Sequence, residues 1–168
     1  MKNYLGIGIS IGVLAGIWTA LSTNIIMTSM PLITWVGFAA WATYFAAGAG
    51  ITGLTKSVAS NVSGAVYGWL VVAFVGAVAF KGNLAIAVAV IALLMCLQAS
   101  ISVLSFIPGA FIGAASYFGT TFSFWPTVVA LVIGGLFGHA SGLLGGAIQA
   151  RLSPPVPTSS VGPSATVA

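Results

Sequence analysis

The chain has 168 residues, of which 60% are hydrophobic and only 2% charged: four Lys/Arg, no Asp or Glu, and a single histidine. Soluble domains carry roughly a quarter charged residues, so no water-facing surface can be assembled from this composition, and a mean hydropathy of +1.19 points to lipid as the solvent. Without carboxylates there is no paired-acid hydrolase, no carboxylate-ligated metal and no Asp/Glu proton relay, and four scattered cations (Lys2, Lys56, Lys81, Arg151) form no patch for nucleic acid.

Apolar segments long enough to span a bilayer as helices, roughly 17 to 25 residues, are predicted at about 4–22, 31–49, 60–79, 84–104, 107–122 and 126–150. The first follows Lys2 as a signal peptide would, yet it is long and lacks a small-x-small cleavage site, so it is expected to remain as a span. Breaks fall at Ser22-Thr23-Asn24 before Pro31, at Lys56-Ser57, at Lys81-Gly82-Asn83, at Ser105 before Pro108, and at Trp125-Pro126. The fourth and fifth spans are so close that a tight hairpin is expected. The fold class is therefore an all-α membrane protein with a six-helix transmembrane domain over 1–151. The Pro/Ser-rich tail 152–168 is expected to be disordered.

Six spans put both termini on one side. With the amino terminus cytoplasmic, Lys2, Lys56 and Arg151 lie inside and Lys81 alone outside, so the positive-inside rule predicts N-in and C-in.

Self-similarity comes next. Phe38-Ala39-Ala40-Trp41-Ala42-Thr43-Tyr44-Phe45 resembles Phe111-Ile112-Gly113-Ala114-Ala115-Ser116-Tyr117-Phe118, pairing Thr43 with Ser116 and Tyr44 with Tyr117. Asn61-Val62-Ser63-Gly64 followed by Gly68 resembles His139-Ala140-Ser141-Gly142 followed by Gly146. The expectation is a 3+3 inverted-topology repeat with halves of approximately 4–80 and 84–150, because an odd number of spans makes the second copy enter from the opposite face. Small residues also recur four apart, as Gly8/Gly12/Gly16, Ser60/Gly64/Gly68 and Gly134/Gly138/Gly142/Gly146, and such faces bring helix backbones together in lipid.

Few polar side chains remain at membrane depth. Asn61 and His139, followed by Ser63 and Ser141, are the first choice to line a polar path at the interface of the halves. Their plainer role is interhelical hydrogen bonding, typically under ~2 kcal/mol. Tyr44 and Tyr117, with Trp41 one turn before Tyr44, are the aromatic candidates for a constriction passing neutral solutes. Trp18, Trp35, Trp69 and Trp125 are read as an interface belt. His139 is the one side chain with an ordinary pKa near physiological pH. A lone imidazole is a poor zinc site, and serines without a carboxylate make no hydrolytic triad. No metal, cofactor or enzymatic activity is expected. Gln98 is an apolar-segment amide without assigned role, and Cys96 is expected to pack as a small hydrophobe.

On the Trp41-Ala42-Thr43-Tyr44 region, the glycine-rich last span with His139-Ala140-Ser141-Gly142, and its overall layout, the chain resembles the YcdZ-like family of small bacterial inner-membrane proteins of unknown function. The resemblance covers about 4–151 and implies a multi-pass inner-membrane protein without implying an activity. In size and span number the chain is also similar to bacterial urea and short-amide channels, with no shared motif. The leading expectation is a channel or facilitator for a small neutral solute (urea, amide or ammonia-like), working in the bilayer as a homo-oligomer. The rival is a non-transporting scaffold or accessory subunit. A secondary transporter coupled through backbone carbonyls and helix ends stays open as a third class.

Overall fold

A computed structural model describes residues 4–24 and 32–152. The helices run α1 Leu5–Asn24, α2 Thr34–Ala46, α3 Gly50–Ala77, α4 Asn83–Leu97, α5 Ile107–Gly119 and α6 Phe124–Leu152. Lipid offers the backbone no hydrogen bonds, so an apolar chain of this kind satisfies its amides within helices. Lys2, Pro31 and the tail beyond Leu152 lie outside the described residues.

The helix number agrees with the sequence reading, but the lengths do not. Among the described residues, α1, α3, α6 and the stretch Asn83–Ser100 are the ones long and apolar enough to cross a membrane. With 13 residues each, α2 and α5 reach about 20 Å at 1.5 Å per residue, short of a hydrocarbon core of about 30 Å. The predicted spans 31–49 and 107–122 are thus short helices followed by tight turns. The fourth segment also stops early: α4 ends at Leu97, and two 3₁₀ turns, Gln98–Ser100 and Ser102–Leu104, replace the expected hairpin before α5. Pro108 occupies the first turn of α5, where its missing N–H costs nothing.

The core is a pair of close helix contacts. α5 runs parallel to α3, with Gly64 against the Ala110 backbone and Gly68 against Tyr117 and Ala114. α2 runs parallel to α6, with Gly134 against the Gly37 backbone and Gly138 against Tyr44. A Cβ at Gly64, Gly113 or Gly134 would fall on backbone atoms of the facing helix, so only glycine permits these approaches. α1 lies antiparallel to α6, from Gly6 at Gln149 to Trp18 at Phe137, and the two ends of the described chain therefore meet at one end of the bundle.

The turns after α2 and α5 are built alike. Ala47, Gly48 and Ala49 donate to Thr43, Phe45 and Tyr44 carbonyls; Thr120, Thr121 and Phe122 donate to Ser116, Phe118 and Tyr117 carbonyls. Both turns pass through the left-handed region, and Ala49 (φ 57), Thr121 (φ 54) and Phe122 (φ 62) do so without being glycine.

Gly64 and Gly68 meet α5 much as Gly134 and Gly138 meet α2. Matched on these contacts, Asn61 aligns with Leu131 and His139 with Trp69, eight residues away from the expected pairing of Asn61 with His139, because glycine spaced by four matches itself at several offsets.

Burial corrects three further expectations. Trp18 is 1% exposed, with its indole against Gly37 and its N–H donating to the Thr34 carbonyl at 3.0 Å, so it belongs to the core. Trp35, Trp69 and Trp125 are exposed. Cys96 is exposed on α4, and Gly8, Gly12 and Gly16 face open space rather than a neighbouring helix.

Candidate functional site

Three polar knots tie the helices together. In the first, the Trp41 indole N–H donates to Ser141 Oγ at 2.9 Å, which in turn donates to the Gly138 carbonyl at 2.7 Å. Ser10 Oγ reaches the Ser141 carbonyl at 2.8 Å, so α1, α2 and α6 are joined at one level. Small side chains and glycines allow this: Gly145 packs directly on Ile7 and Ser10.

The second knot centres on Tyr44, which is 2% exposed. Its phenol oxygen accepts the Gly50 N–H at 2.9 Å, capping an otherwise unpaired amide in the first turn of α3. The same oxygen lies 3.4 Å from His139 Nδ1, with the two rings edge to face at 5.8 Å; which of the two donates is set by the histidine tautomer.

The third knot is the most buried. Asn61 Nδ2 donates to Thr43 Oγ1 at 2.8 Å, and Thr43 Oγ1 donates to the Ala40 carbonyl at 2.8 Å. Gly109 and Gly113 of α5 pack on Ser60 and Asn61, so Asn61 bridges α2 and α5 from its place on α3. Asn61 Oδ1, Ser60 Oγ and Ser116 Oγ are buried without a hydrogen-bond partner among the described residues, as is Gln98 Nε2.

The structure thus joins Trp41 to Ser141 and Tyr44 to His139, and sets Asn61 apart with Thr43. Ser63 only bonds back to the Ser60 carbonyl of its own helix at 2.8 Å. Tyr117 lies in an aromatic cage with Phe118, Phe122 and Phe124. The contributions of Ser10, Ser60, Thr43 and Ser116 were missed, although the Thr43/Ser116 match in the repeated octapeptide could have indicated two of them. The surface grooves are walled by apolar side chains. Among the described residues, no group of three or more His, Cys, Asp or Glu could hold a metal ion.

Apolar helices of spanning length, glycine-mediated backbone contacts and a polar interior confined to hydrogen-bonded knots define an integral, multi-pass helical membrane protein. The family described as "Protein of unknown function (DUF1097)" matches residues 8–146, and the chain belongs to that family. It is 36% identical over 145 residues to the inner membrane protein YcdZ of Escherichia coli, covering 83% of this chain and 84% of the relative. It is 35% identical over 145 residues to YcdZ of Salmonella typhimurium, covering 83% and 86%, and 29% identical over 150 residues to the uncharacterized protein YahC of Escherichia coli, covering 84% and 90%. No solved structure matches. The names of the YcdZ relatives and the apolar helices agree on an inner-membrane location.

The second knot yields a measurable expectation. Tyr44→Phe removes the acceptor of the Gly50 amide and the partner of His139, and should cost ~1–2 kcal/mol in a reversible mixed-micelle unfolding titration. Ser63→Ala, which removes only an intrahelical bond, should stay within ~0.5 kcal/mol of the parent. Equal losses for the two variants would show that the Tyr44 bridge contributes nothing specific.

Proposed function

We propose that the chain is a facilitator for a small neutral solute of the urea, amide or ammonia type, built as a 3+3 inverted repeat and passing its solute along the seam between the halves. Support for the repeat comes from the reciprocal parallel pairs α2 with α6 and α3 with α5, from the matching glycine contacts and from the matching turns. The observation that carries the function is the set of orphaned buried atoms, Asn61 Oδ1, Ser60 Oγ and Ser116 Oγ. Leaving such a group unsatisfied costs about 1–3 kcal/mol. Amide N–H groups and a carbonyl of a passing solute complement an amide oxygen and two hydroxyls. Charged solutes fit poorly, because a chain without Asp or Glu has no side-chain counter-charge for a cation. Since Gly113 touches the Asn61 backbone, conduction requires helices to part transiently, as in a gated facilitator rather than an open pore.

The same reading orients the chain. Lys56 lies two turns into α3, near the turn that meets α6 through Tyr44 and Gly142, and Arg151 lies at the end of α6. Lys81 is at the opposite end of α3. The positive-inside rule then supports N-in and C-in. In cells, a membrane-impermeant thiol reagent should label Lys81→Cys and spare Lys56→Cys, and the reverse pattern would invert the topology.

One observation bears on the homo-oligomer expected of the channel and on the rival reading, a scaffold or accessory subunit. Gly64, Gly113, Gly134 and Gly138 are packed against facing helices, whereas Gly8, Gly12 and Gly16, one stripe of α1, have nothing within 4 Å of a Cβ built on them. Helix–helix association in lipid uses such faces. Gly12→Leu should leave folding intact yet lower the oligomer mass seen by native mass spectrometry, while Gly134→Leu should destabilise the fold itself by at least ~1–3 kcal/mol. An unchanged mass for Gly12→Leu removes the α1 interface, and a stoichiometric foreign partner in native purification would favour the scaffold over the channel.

Conduction is tested by stopped-flow swelling of proteoliposomes in urea, glycerol, ammonia and short amides. Asn61→Leu gives α3 the residue that α6 carries at Leu131, so it should fold. It should also lower the solute flux by about tenfold, the equivalent of losing ~1.4 kcal/mol of stabilisation in passage. Swelling no faster than empty vesicles for every solute, or full flux through Asn61→Leu, would overturn the proposal.

A further inference from the structure

The two outer helices of the bundle are held differently. α1 is fastened to α6 by backbone approach at Gly6 and Gly145, by the Gly6 N–H donating to Gln149 Oε1 at 3.0 Å and by Ser10. α4 is held to α3 by a side-chain hydrogen bond at its first residue, where Asn83 Nδ2 reaches the Val75 carbonyl at 3.4 Å. Its buried side chains are Ala87, Ile91 and Met95, a single stripe spaced by four, so α4 touches α3 along one line and leaves a hollow on each side. The larger hollow is an open groove of about 660 Å3, walled by Val72, Val75 and Gly76 of α3, Leu84 and Val88 of α4, and Phe122 of the α5–α6 turn. A groove of about 300 Å3 lies on the other side, between Phe74 and Leu70 of α3 and Ile86 and Val90 of α4.

One cation stands at the end of the larger groove. Lys81 is on the turn joining the two helices that form its walls, five residues beyond Gly76 and three before Leu84. The turn is pinned: Asn83 Nδ2 donates to the Val78 carbonyl at 2.6 Å and Asn83 Oδ1 accepts the Leu84 N–H at 2.7 Å, while Gly82 takes the left-handed conformation (φ 95). Because the chain contains no Asp or Glu, no side chain of the protein can supply the Lys81 counter-charge. The amino-terminal end of α4, Asn83–Leu97, adds its partial positive charge at the same place. An apolar slot roughly as large as the pockets that hold drug-sized ligands, about 300–1,000 Å3, thus ends at an unpaired cation.

We infer that this groove is a binding site for an anionic phospholipid, with one acyl chain between α3 and α4 and the headgroup phosphate at Lys81 and the first turn of α4. The inference depends on the membrane location and not on conduction. A free anion would use the cation and leave the groove unfilled; an uncharged lipid would fill the groove and gain nothing from the cation.

The test uses the full chain in phosphatidylethanolamine vesicles containing a small fraction of phosphatidylglycerol with a photoreactive diazirine on one acyl chain. Crosslinks read by mass spectrometry should concentrate at Val75 and Val88 over the equally lipid-facing Val13 and Ile17 of α1. Gly76→Trp projects an indole into the groove, since a Cβ there meets nothing within 4 Å, and should bring labelling at Val88 down to the α1 level. Gly146→Trp, equally unobstructed, should leave it unchanged. Lys81→Gln should lower the preference for phosphatidylglycerol over a phosphatidylethanolamine probe by about fivefold, the effect of one basic residue at an anionic lipid surface. Labelling at Val75 and Val88 no stronger than on α1 would overturn the site, and a headgroup preference indifferent to Lys81→Gln would overturn its anionic specificity.

Discussion

The structure depends on places where helix backbones touch, above all Gly64 on Ala110 and Gly134 on Gly37. Lipid tails are as apolar as leucine, so hydrophobicity gives no reason for one helix to prefer another over lipid, and association rests on dispersion and polar contacts that require close approach. A glycine in a helix interior costs roughly 1 kcal/mol relative to alanine in water, and close packing offsets this only where a neighbour fills the vacated space. At Gly64, Gly113 and Gly134 a neighbour does. The long helices α3 and α6 each carry a short parallel partner in that way, and these short helices need not span the membrane, because their polar ends are turned back by tight hydrogen-bonded turns.

Polar side chains follow from that framework. Trp41 meets Ser141 and Tyr44 meets Gly50 because Gly138 and Gly142 let the α2 rings lie against the α6 backbone. Asn61 is different. It stands on α3 and satisfies only its amide nitrogen, through Thr43, while its oxygen is buried without a partner among the described residues. Leaving an amide oxygen unpaired in this way costs about 1–3 kcal/mol, which sets this position apart from the paired groups of the other two knots.

Much of this was legible in the sequence, and the failures have physical causes. Composition alone gave the lipid environment and the all-helical class. The helix number came from the apolar segments, but α2 and α5 were overextended: in an apolar chain, residues beyond a helix end such as Ala47–Ala49 look like more helix, and only left-handed backbone at Ala49, Thr121 and Phe122 reveals the stop. The motif reading put Asn61 and His139 on one polar path, whereas the structure gives them separate partners, Thr43 and Tyr44; glycines four apart align at several offsets equally well, so the glycine-rich match carries no register. Trp18 was misplaced for a related reason. Tryptophan in a membrane sequence reads as an interface anchor, and nothing in α1 announces that Gly37, on another helix, leaves room for its indole.

The unequal fastening of the outer helices bears on which part of the bundle can move. On one side α1, α2 and α6 are locked by Ser10, Trp41 and Ser141 at a single level, and parting them would break several hydrogen bonds in a medium with no replacements. On the other side α4 rests on α3 through Ala87, Ile91 and Met95, and α5 meets α3 through glycine contacts and orphaned polar atoms rather than paired ones. Lipid tails supply the same dispersion attraction that α4 would give up there, so the edge between α3 and α4 is less costly to part than the glycine contacts of α3 with α5. The groove at that edge is the one in which an acyl chain can take up the space between α3 and α4.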